Sequence, residues 1–478
     1  MLNRFRWVFC QLDALQHCFP PNLRQYLNEL PETLDETYER ILKGINKAQK
    51  ENAHRLLQCL TVAVRPLLVE ELAESLAFDF QAKSVGGIPT LKEDWRLDDE
   101  EEAVLSTCSS LIAIIPRGKS RVVQFSHFSV KEYLTSDRLA RSSGDVSRYH
   151  IVLEPAHTIL AQACLGVLLR LDDRVNVGDT DPLVKYASRH WVDHAQFENV
   201  ASRIRDVMEY FFDADKPHWT AWCRVQKVDV PWWWFTSNEV LDDVFPLYYA
   251  SLGGFYDLAE HLVGKHPEHI NARGGQTLIP LVAALYRKHF QVAELLHRHG
   301  ADIDVLGDDK STPLLVACVD GSVDVVRWLL DHGAGVNARD RALFTPLHRA
   351  TEFGRLQVVQ LLIEHNADIH GLTISGLSPL HMAATPYNMD NQIDIMQILL
   401  DHGANPNARD INNATPLRRS SWSGTRLLKG TVEGTRLLLK HGAIIDTEDN
   451  EGRTPLQIAL EHGHEDIATC LKEHGATR

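Results

Sequence analysis

The sequence predicts a mainly α-helical protein in two parts, a helical N-terminal region followed by a solenoid of stacked helix pairs. Three observations carry this expectation. A proline-centred hexapeptide recurs seven times in the second half at nearly constant spacing. An apolar stretch of helical period follows each copy, as in VDVVRWLL and LQVVQLLI. In the first half apolar helical stripes dominate, and two β-type runs, LIAII and RVVQF, flank Pro116-Arg117-Gly118-Lys119-Ser120.

In chain order, PETLDETYERILKGIN (31–46) reads as a helix with Thr33 and Glu36 as a capping box and Leu34, Tyr38, Ile41 and Ile45 as its apolar stripe. AHRLLQCLTVAV forms a second helix, stopped by Pro66. VEELAESLAF and EEAVLSTCSSL form two more, and the hairpin follows. Ser129 and Glu132 fit a capping box for a further helix, VKEYLTSDRL. Three helices, a hairpin and another helix spell a winged-helix domain. AHTILAQACLGVLLRL, PLVKYASRHWVDHA and ENVASRIRDVMEYFF read as amphipathic connector helices, and Trp232-Trp233-Trp234-Phe235 as an aromatic plug before the solenoid. The expected division is 1–50 helical segment, 51–140 winged helix, 141–240 helical connector and 241–478 seven repeats.

The repeated strings are FPLYYA, IPLVAA, TPLLVA, TPLHRA, SPLHMA, TPLRRS and TPLQIA. Their prolines, Pro246, Pro280, Pro313, Pro346, Pro379, Pro416 and Pro455, are spaced by 34, 33, 33, 33, 37 and 39 residues. Proline in a first helical turn loses no hydrogen bond, and the preceding Thr or Ser is a good N-cap. Gly333 and Gly403 stand where a helix must end in left-handed backbone. One such unit cannot bury its apolar face alone, so neighbours must stack. The period and the T-P-L-H-x-A signature resemble the ankyrin repeat. The fifth copy carries extra residues around Thr385–Gln392. The sixth has Arg418, Arg419, Ser420 and Ser421 where others are apolar, and is expected to be the weakest unit of the stack. By resemblance, ankyrin arrays bind proteins through their hairpin tips and the concave face of the first helices. The pairs before each helix-ending glycine would face solvent there: Tyr286 and Arg287, Val319 and Asp320, Glu352 and Phe353, Trp422 and Ser423, Glu461 and His462. Arg341 and Phe344 share one turn. The candidate contact residues are therefore Tyr286, Arg287, Asp320, Arg341, Phe344, Glu352, Phe353 and Trp422, rich in the aromatic and Arg types that dominate interfaces. The motif histidines His348 and His381 are expected to brace the turns.

The phrases RFRWVFCQLD, LPETLDETYERIL, RPLLVEELAE and FSHFSVKEYL resemble fungal NACHT–ankyrin proteins, signal-transducing NTPases of the STAND type related to NOD-like receptors. Residues 52–80 resemble the winged-helix domain of GPI inositol-deacylase-like proteins. In the NACHT family a nucleotide site precedes the RFRWVFCQLD phrase, and here only three residues do. No GxxxxGK[ST] occurs. Gly118-Lys119-Ser120 lacks the earlier glycine and lies in a hairpin rather than between a strand and a helix. The expectation is a non-enzymatic scaffold or receptor arm that binds a protein and carries no cofactor. The alternative is the truncated remainder of a NACHT NTPase whose missing part binds ATP or GTP.

Other classes find less support. The formal net charge of −15 disfavours nucleic acid and anionic membrane. The third winged-helix helix begins with carboxylates and would repel DNA. No apolar run is long enough to span a bilayer, and no secretory signal opens the chain. The eight cysteines form no CxxC pair and read as buried thiols, which points to the cytoplasm. Asn413-Ala414-Thr415 is then no glycosylation site. No GxSxG, HExxH or carboxylate–His cluster at metal spacing is found, so neither catalytic nor metal-ligating residues are expected.

Overall fold

The computed structural model describes residues 33–80, 89–96, 99–108, 110–142, 144–171, 182–212, 218, 221–222, 245–274, 279–385, 391–422 and 430–477. The RFRWVFCQLD phrase and the tryptophan run lie outside them. The chain divides into two compact units, Met1–Val230 with Gly253–Leu262, and Pro231–Leu252 with Val263–Arg478.

In the first unit α1 (Leu34–Gly44) starts at Thr33, whose hydroxyl accepts the Glu36 N–H at 3.2 Å, and carries two acidic residues in its first turn. Then come α2 (Lys50–Val62), the two-residue β1 (Leu67–Leu68) and α3 (Val69–Leu76). Buried Glu71 ties the entry to α3. It accepts the Leu68 N–H at 2.9 Å and grips Arg65 through both oxygens at 2.6 and 2.7 Å. Short strands β2 (Phe78–Asp79) and β3 (Thr90–Leu91) pair antiparallel. Asp99 accepts the first free amides of α4 (Glu100–Cys108).

The hairpin of β4 (Ile112–Arg117) and β5 (Ser120–Phe125) turns at Gly118, whose φ of +65° is left-handed. β1 adds to β5, giving the antiparallel order β1-β5-β4. A three-stranded sheet beside α2, α3 and α4 is a winged-helix domain, as the sequence predicts. Gly118 and Lys119 occupy the turn of the wing.

The next helix differs from expectation. α5 (Phe128–Leu134) begins one residue before Ser129 and is capped by His127, whose Nδ1 accepts the Ser129 N–H at 3.2 Å. The Ser129 hydroxyl lies 2.6 Å from His127 Nδ1 and 2.8 Å from Tyr38 Oη of α1. Ser136 ends the run and caps a separate short helix, α6 (Asp137–Ala140).

α7 (Leu153–Leu168) is apolar on nearly every side and packs against α2 and α8 (Val184–Ala195), so the supposed connector is part of this unit's core. Trp191 is fully buried among Phe211, Phe212, Trp222 and Phe255, with ring centroids 5.5 to 6.0 Å from its own. A buried polar chain crosses the same helices. The Val64 N–H donates to Tyr186 Oη at 3.1 Å, Tyr186 Oη meets His194 Nε2 at 2.8 Å, and His194 Nδ1 meets His157 Nδ1 at 2.9 Å. Two imidazoles can share such a bond only if one donates, and burial holds His194 down at about 3, so the pair is neutral near pH 7. ENVASRIRDVMEYFF is two helices, α9 (Val200–Arg203) and α10 (Arg205–Phe211), broken at Ile204.

The second unit is built on seven proline-started helices. α11 (Pro246–Leu252) opens the series. α12 (Tyr256–Lys265) follows in the chain and straddles the division between units. The later pairs are α13 (Pro280–Tyr286) with α14 (Phe290–Arg298), α15 (Pro313–Asp320) with α16 (Val323–Asp331), and α17 (Pro346–Glu352) with α18 (Leu356–Glu364). They continue with α19 (Pro379–Ala384) and α20 (Gln392–Asp401), α21 (Pro416–Ser421) and α22 (Gly430–Lys440), and α23 (Pro455–Glu461) and α24 (Glu465–Glu473). All seven prolines begin their helices. α11 packs against α13, from α15 onward successive first helices pack against one another, and from α16 onward so do successive second helices. Cys318 and Cys470 are buried here without a disulfide, like Cys59, Cys108 and Cys164 in the first unit.

The caps form as the motif predicts. Thr312, Thr345, Ser378, Thr415 and Thr454 each accept the N–H three residues on. His348 and His381 complete capping boxes. The Thr345 and Ser378 N–H groups donate to their Nδ1 atoms at 3.2 and 3.1 Å, so the Nε2 atoms carry the protons and donate to the next repeat at Leu377 O and Ala414 O, 3.0 and 3.1 Å away. One side chain thus satisfies its own helix start and ties two repeats together. Gly333 and Gly403 take φ of +89° and +91°.

In the sixth repeat the polar residues are accommodated. Its first helix is formed, because the polar residues find partners in the stack. Arg418 reaches Asp449 at 2.7 Å in the seventh repeat, and Arg419 reaches Asp410 at 3.0 Å. Ser420 and Ser421 are buried, their hydroxyls bonding Leu417 O at 2.8 and 3.0 Å. The preceding insertion, 386–390, and the echo at 424–429 lie outside the described residues.

Candidate protein-binding surface

The surface open to a partner is built from helix ends and the turns between repeats. Three of the turns are braced for a local reason. Asp340, Asp410 and Asp449 stand six residues before a motif proline, and each Oδ1 accepts two turn N–H groups at 2.8 to 2.9 Å. Their other oxygens hold Arg349, Arg419 and Arg418. Neighbouring turns are joined by backbone bonds, Ile374 N to Ala342 O at 3.1 Å, Ile411 N to Ser375 O at 3.2 Å and Asn450 N to Asn412 O at 3.1 Å. The turns therefore present side chains from fixed positions, which lowers the entropy lost on binding.

The candidate residues fall into three groups. In the first, Tyr286 is half-buried rather than solvent-facing. It lines a small apolar recess with Val282, Leu285, Pro313, Val316 and Ala317, and Asp320 lines the same recess. Exposed Arg287 lies over the Tyr286 ring, 5.7 Å from its centroid. No glycine ends this helix. Lys288 takes the left-handed place at φ +61°.

In the second group Phe344 is half-buried, with the Arg349 guanidinium 4.0 Å above its ring. Arg349 also pairs with Asp340 at 2.5 Å and Glu352 at 3.0 Å, so Phe344 and Glu352 meet through it. Arg349 was not among the residues picked from sequence. Phe353 and Glu352 are half-buried as well, again against expectation. Arg341 is exposed, and its guanidinium donates to Asp308 O of the preceding turn at 2.9 Å. The third group is Trp422, 49% exposed, edge-on to His462 at 6.3 Å. Ser423 lies outside the described residues. Val319 is half-buried, while Glu461 and His462 are exposed.

Sequence reading missed the most exposed apolar tips, Ile374 at 63% and Ile411 at 64%. Both stand five residues before a motif proline, the register that Arg341 occupies one repeat earlier, so aligning the repeats by their prolines would have found them. It also missed a cluster of His266, Glu268 and His269, whose His-x-Glu-His spacing matches no searched motif.

The comparisons with known proteins agree with this architecture. Residues 247–340, 281–373, 341–410 and 425–477 match a family model described as ankyrin repeats (3 copies). Residues 38–144 match the GPI inositol-deacylase, winged helix domain. The chain is 30% identical over 291 residues to the azaphilone pigments biosynthesis cluster protein L of Monascus ruber, covering 57% of this chain and 60% of that protein. It is 46% identical over 52 residues to protein phosphatase 1 regulatory subunit 27 of Homo sapiens and of Mus musculus, 11% of this chain and 34% of theirs. The chain thus spans 60% of the length of the Monascus relative and 34% of the length of the other two. Its C-terminal part is an array of ankyrin repeats, and a winged-helix domain of the GPI inositol-deacylase type precedes it.

Proposed function

We propose that this chain is a non-enzymatic scaffold or receptor arm that recognises a protein through its ankyrin repeats, in signalling or an immunity-like response. The carrying observation is the stack of capped, cross-bonded turns holding Arg287, Arg341, Ile374, Ile411 and Trp422 on the surface. Such exposed aromatic, aliphatic and Arg side chains on a rigid frame suit protein contact. The likeness to a protein named as a phosphatase regulatory subunit supports an adaptor role. Among the described residues no helix is long and apolar enough to cross a membrane. The test is affinity capture with the full chain against the Phe344→Ala/Trp422→Ala variant. A partner held equally by both removes Phe344 and Trp422 from the binding surface. Mg-dependent ATP turnover abolished by Lys119→Ala refutes the non-enzymatic assignment.

A second reading is favoured by the match at 38–144 lying ahead of ankyrin repeats. In it the chain is the distal part of a NACHT-type STAND NTPase. An in-frame GxxxxGK[ST] in genomic sequence upstream of Met1 would support it, and an upstream stop codon would remove it.

A further inference from the structure

Residues 266–269 read His-Pro-Glu-His and lie in the turn before the second repeat. Pro267 opens a short 3-10 turn, Pro267–His269, with His266 at its N-cap. At three residues per turn, side chains three apart lie one above the other. His266 and His269 do so, with ring centroids 5.0 Å apart and planes within 16°. Glu268 folds back toward both, its Oε1 3.2 Å from His266 Nδ1 and 3.9 Å from His269 Nε2. The three donor atoms all lie within 4.8 Å of one another. A tetrahedral ion with bonds of about 2.0–2.1 Å separates its ligand atoms by roughly 3.3 Å. Turning one imidazole out of the stack, so that both in-plane lone pairs and the carboxylate face a common point, would bring all three onto one ion. Phe245 packs on the His269 ring at 4.2 Å and steadies it.

We propose that His266, Glu268 and His269 bind a divalent transition-metal ion of the zinc class, leaving at least one coordination position to water or to a ligand from outside the chain. Two imidazoles and a carboxylate favour Zn²⁺ or Co²⁺ over Mg²⁺ and Ca²⁺, which take oxygen ligands. Three protein ligands with an open fourth position make an exchangeable site rather than a closed structural one. Because the ligands fall within four consecutive residues, the ion closes almost no loop and adds little to folding. Its effect is local, a dipositive charge with a vacant ligand place on the surface of the repeat array.

The test uses the full chain, free of any affinity tag and stripped with chelator. Added Co²⁺ should give visible absorption saturating at one equivalent, displaced by one equivalent of Zn²⁺ and unaffected by a large excess of Mg²⁺. His266 and Glu268 have exposed side chains, so His266→Ala and Glu268→Gln should keep the wild-type circular dichroism. Each should weaken the ion by about tenfold or more, in line with the sensitivity of metal sites to their ligand shells. Equal affinity and an unchanged Co²⁺ spectrum in the His266→Ala/Glu268→Gln variant overturn the site, as does displacement of the ion by Mg²⁺.

Discussion

Acid should loosen the fourth and fifth repeats through their motif histidines. His348 and His381 are fully buried, and burial holds both at about 4, against 6.5 for a free side chain. Acceptors at Leu377 O and Ala414 O oppose the shift, Arg339 and Arg349 add to it at His348, and at His381 Arg419 adds to it while Asp410 opposes. The folded form therefore binds fewer protons than the unfolded form below pH 6.5. Stability is intact above that value, falls as the pH drops, and levels off below about 4. At pH 5 each histidine costs about 2 kcal/mol, roughly thirtyfold in the opening equilibrium. His194 in the other unit is also held low, so whole-chain melting would mix two effects. Hydrogen exchange by mass spectrometry separates them by reporting on α17 and α19 directly, once corrected for the intrinsic rate. The control comes from the seventh repeat, where Gln457 takes the histidine's place and accepts the Thr454 N–H at 2.9 Å. The His348→Gln/His381→Gln variant should lose most of the pH dependence. Equal protection of α17 and α19 at pH 7 and pH 5 in the wild type refutes the reasoning, as does an undiminished effect in the glutamine variant.

Other perturbations follow from the same geometry. Trp191→Ala should cost about 3–5 kcal/mol, read as a lower denaturant midpoint of the first unit, since four aromatic rings surround the side chain; a loss below about 1 kcal/mol would count against that core. Gly321→Ala should destabilise more than Gly333→Ala. Both are left-handed, but a Cβ at Gly321 would lie 2.7 Å from the Arg355 side chain, whereas at Gly333 it meets open space. Asp340→Ala should cost about 1–3 kcal/mol by leaving the Ala342 and Phe344 amides and Arg349 without their acceptor. Urea unfolding checks both, and equal midpoints for the two glycine variants would remove the steric argument.

The repeats were legible because their signals are local. A Thr-Pro step presets a helix start, a glycine or asparagine can end one, and an apolar stripe marks the face to be buried; each acts within a few residues. The hairpin of the winged helix was legible for the same reason. Ser129 misled because its capping pattern is local, while its hydroxyl bonds His127 Nδ1 and Tyr38, the latter from a helix 91 residues earlier. The partners of the sixth repeat's polar residues were not legible for the same reason. Four polar residues in a row look weak until stacking brings Asp410 and Asp449 against Arg419 and Arg418. The candidate contact residues stand at helix ends and in turns, but their exposure was not legible. It depends on what the neighbouring repeat leaves uncovered, and so Phe344 lies beneath Arg349 while Ile374 and Ile411 stand free at the tips.

The sequence by itself determined where helices begin and end, that seven alike units must stack, and that a helical domain with a wing precedes them. Only the tertiary structure decided that the middle helices close a core around Trp191, that His348 and His381 bond from one repeat into the next, and that His266, Glu268 and His269 converge. The reason is one of range. Caps, turns and stripes act over a few residues and are written along the chain, whereas burial and ion pairing depend on which distant segment arrives alongside.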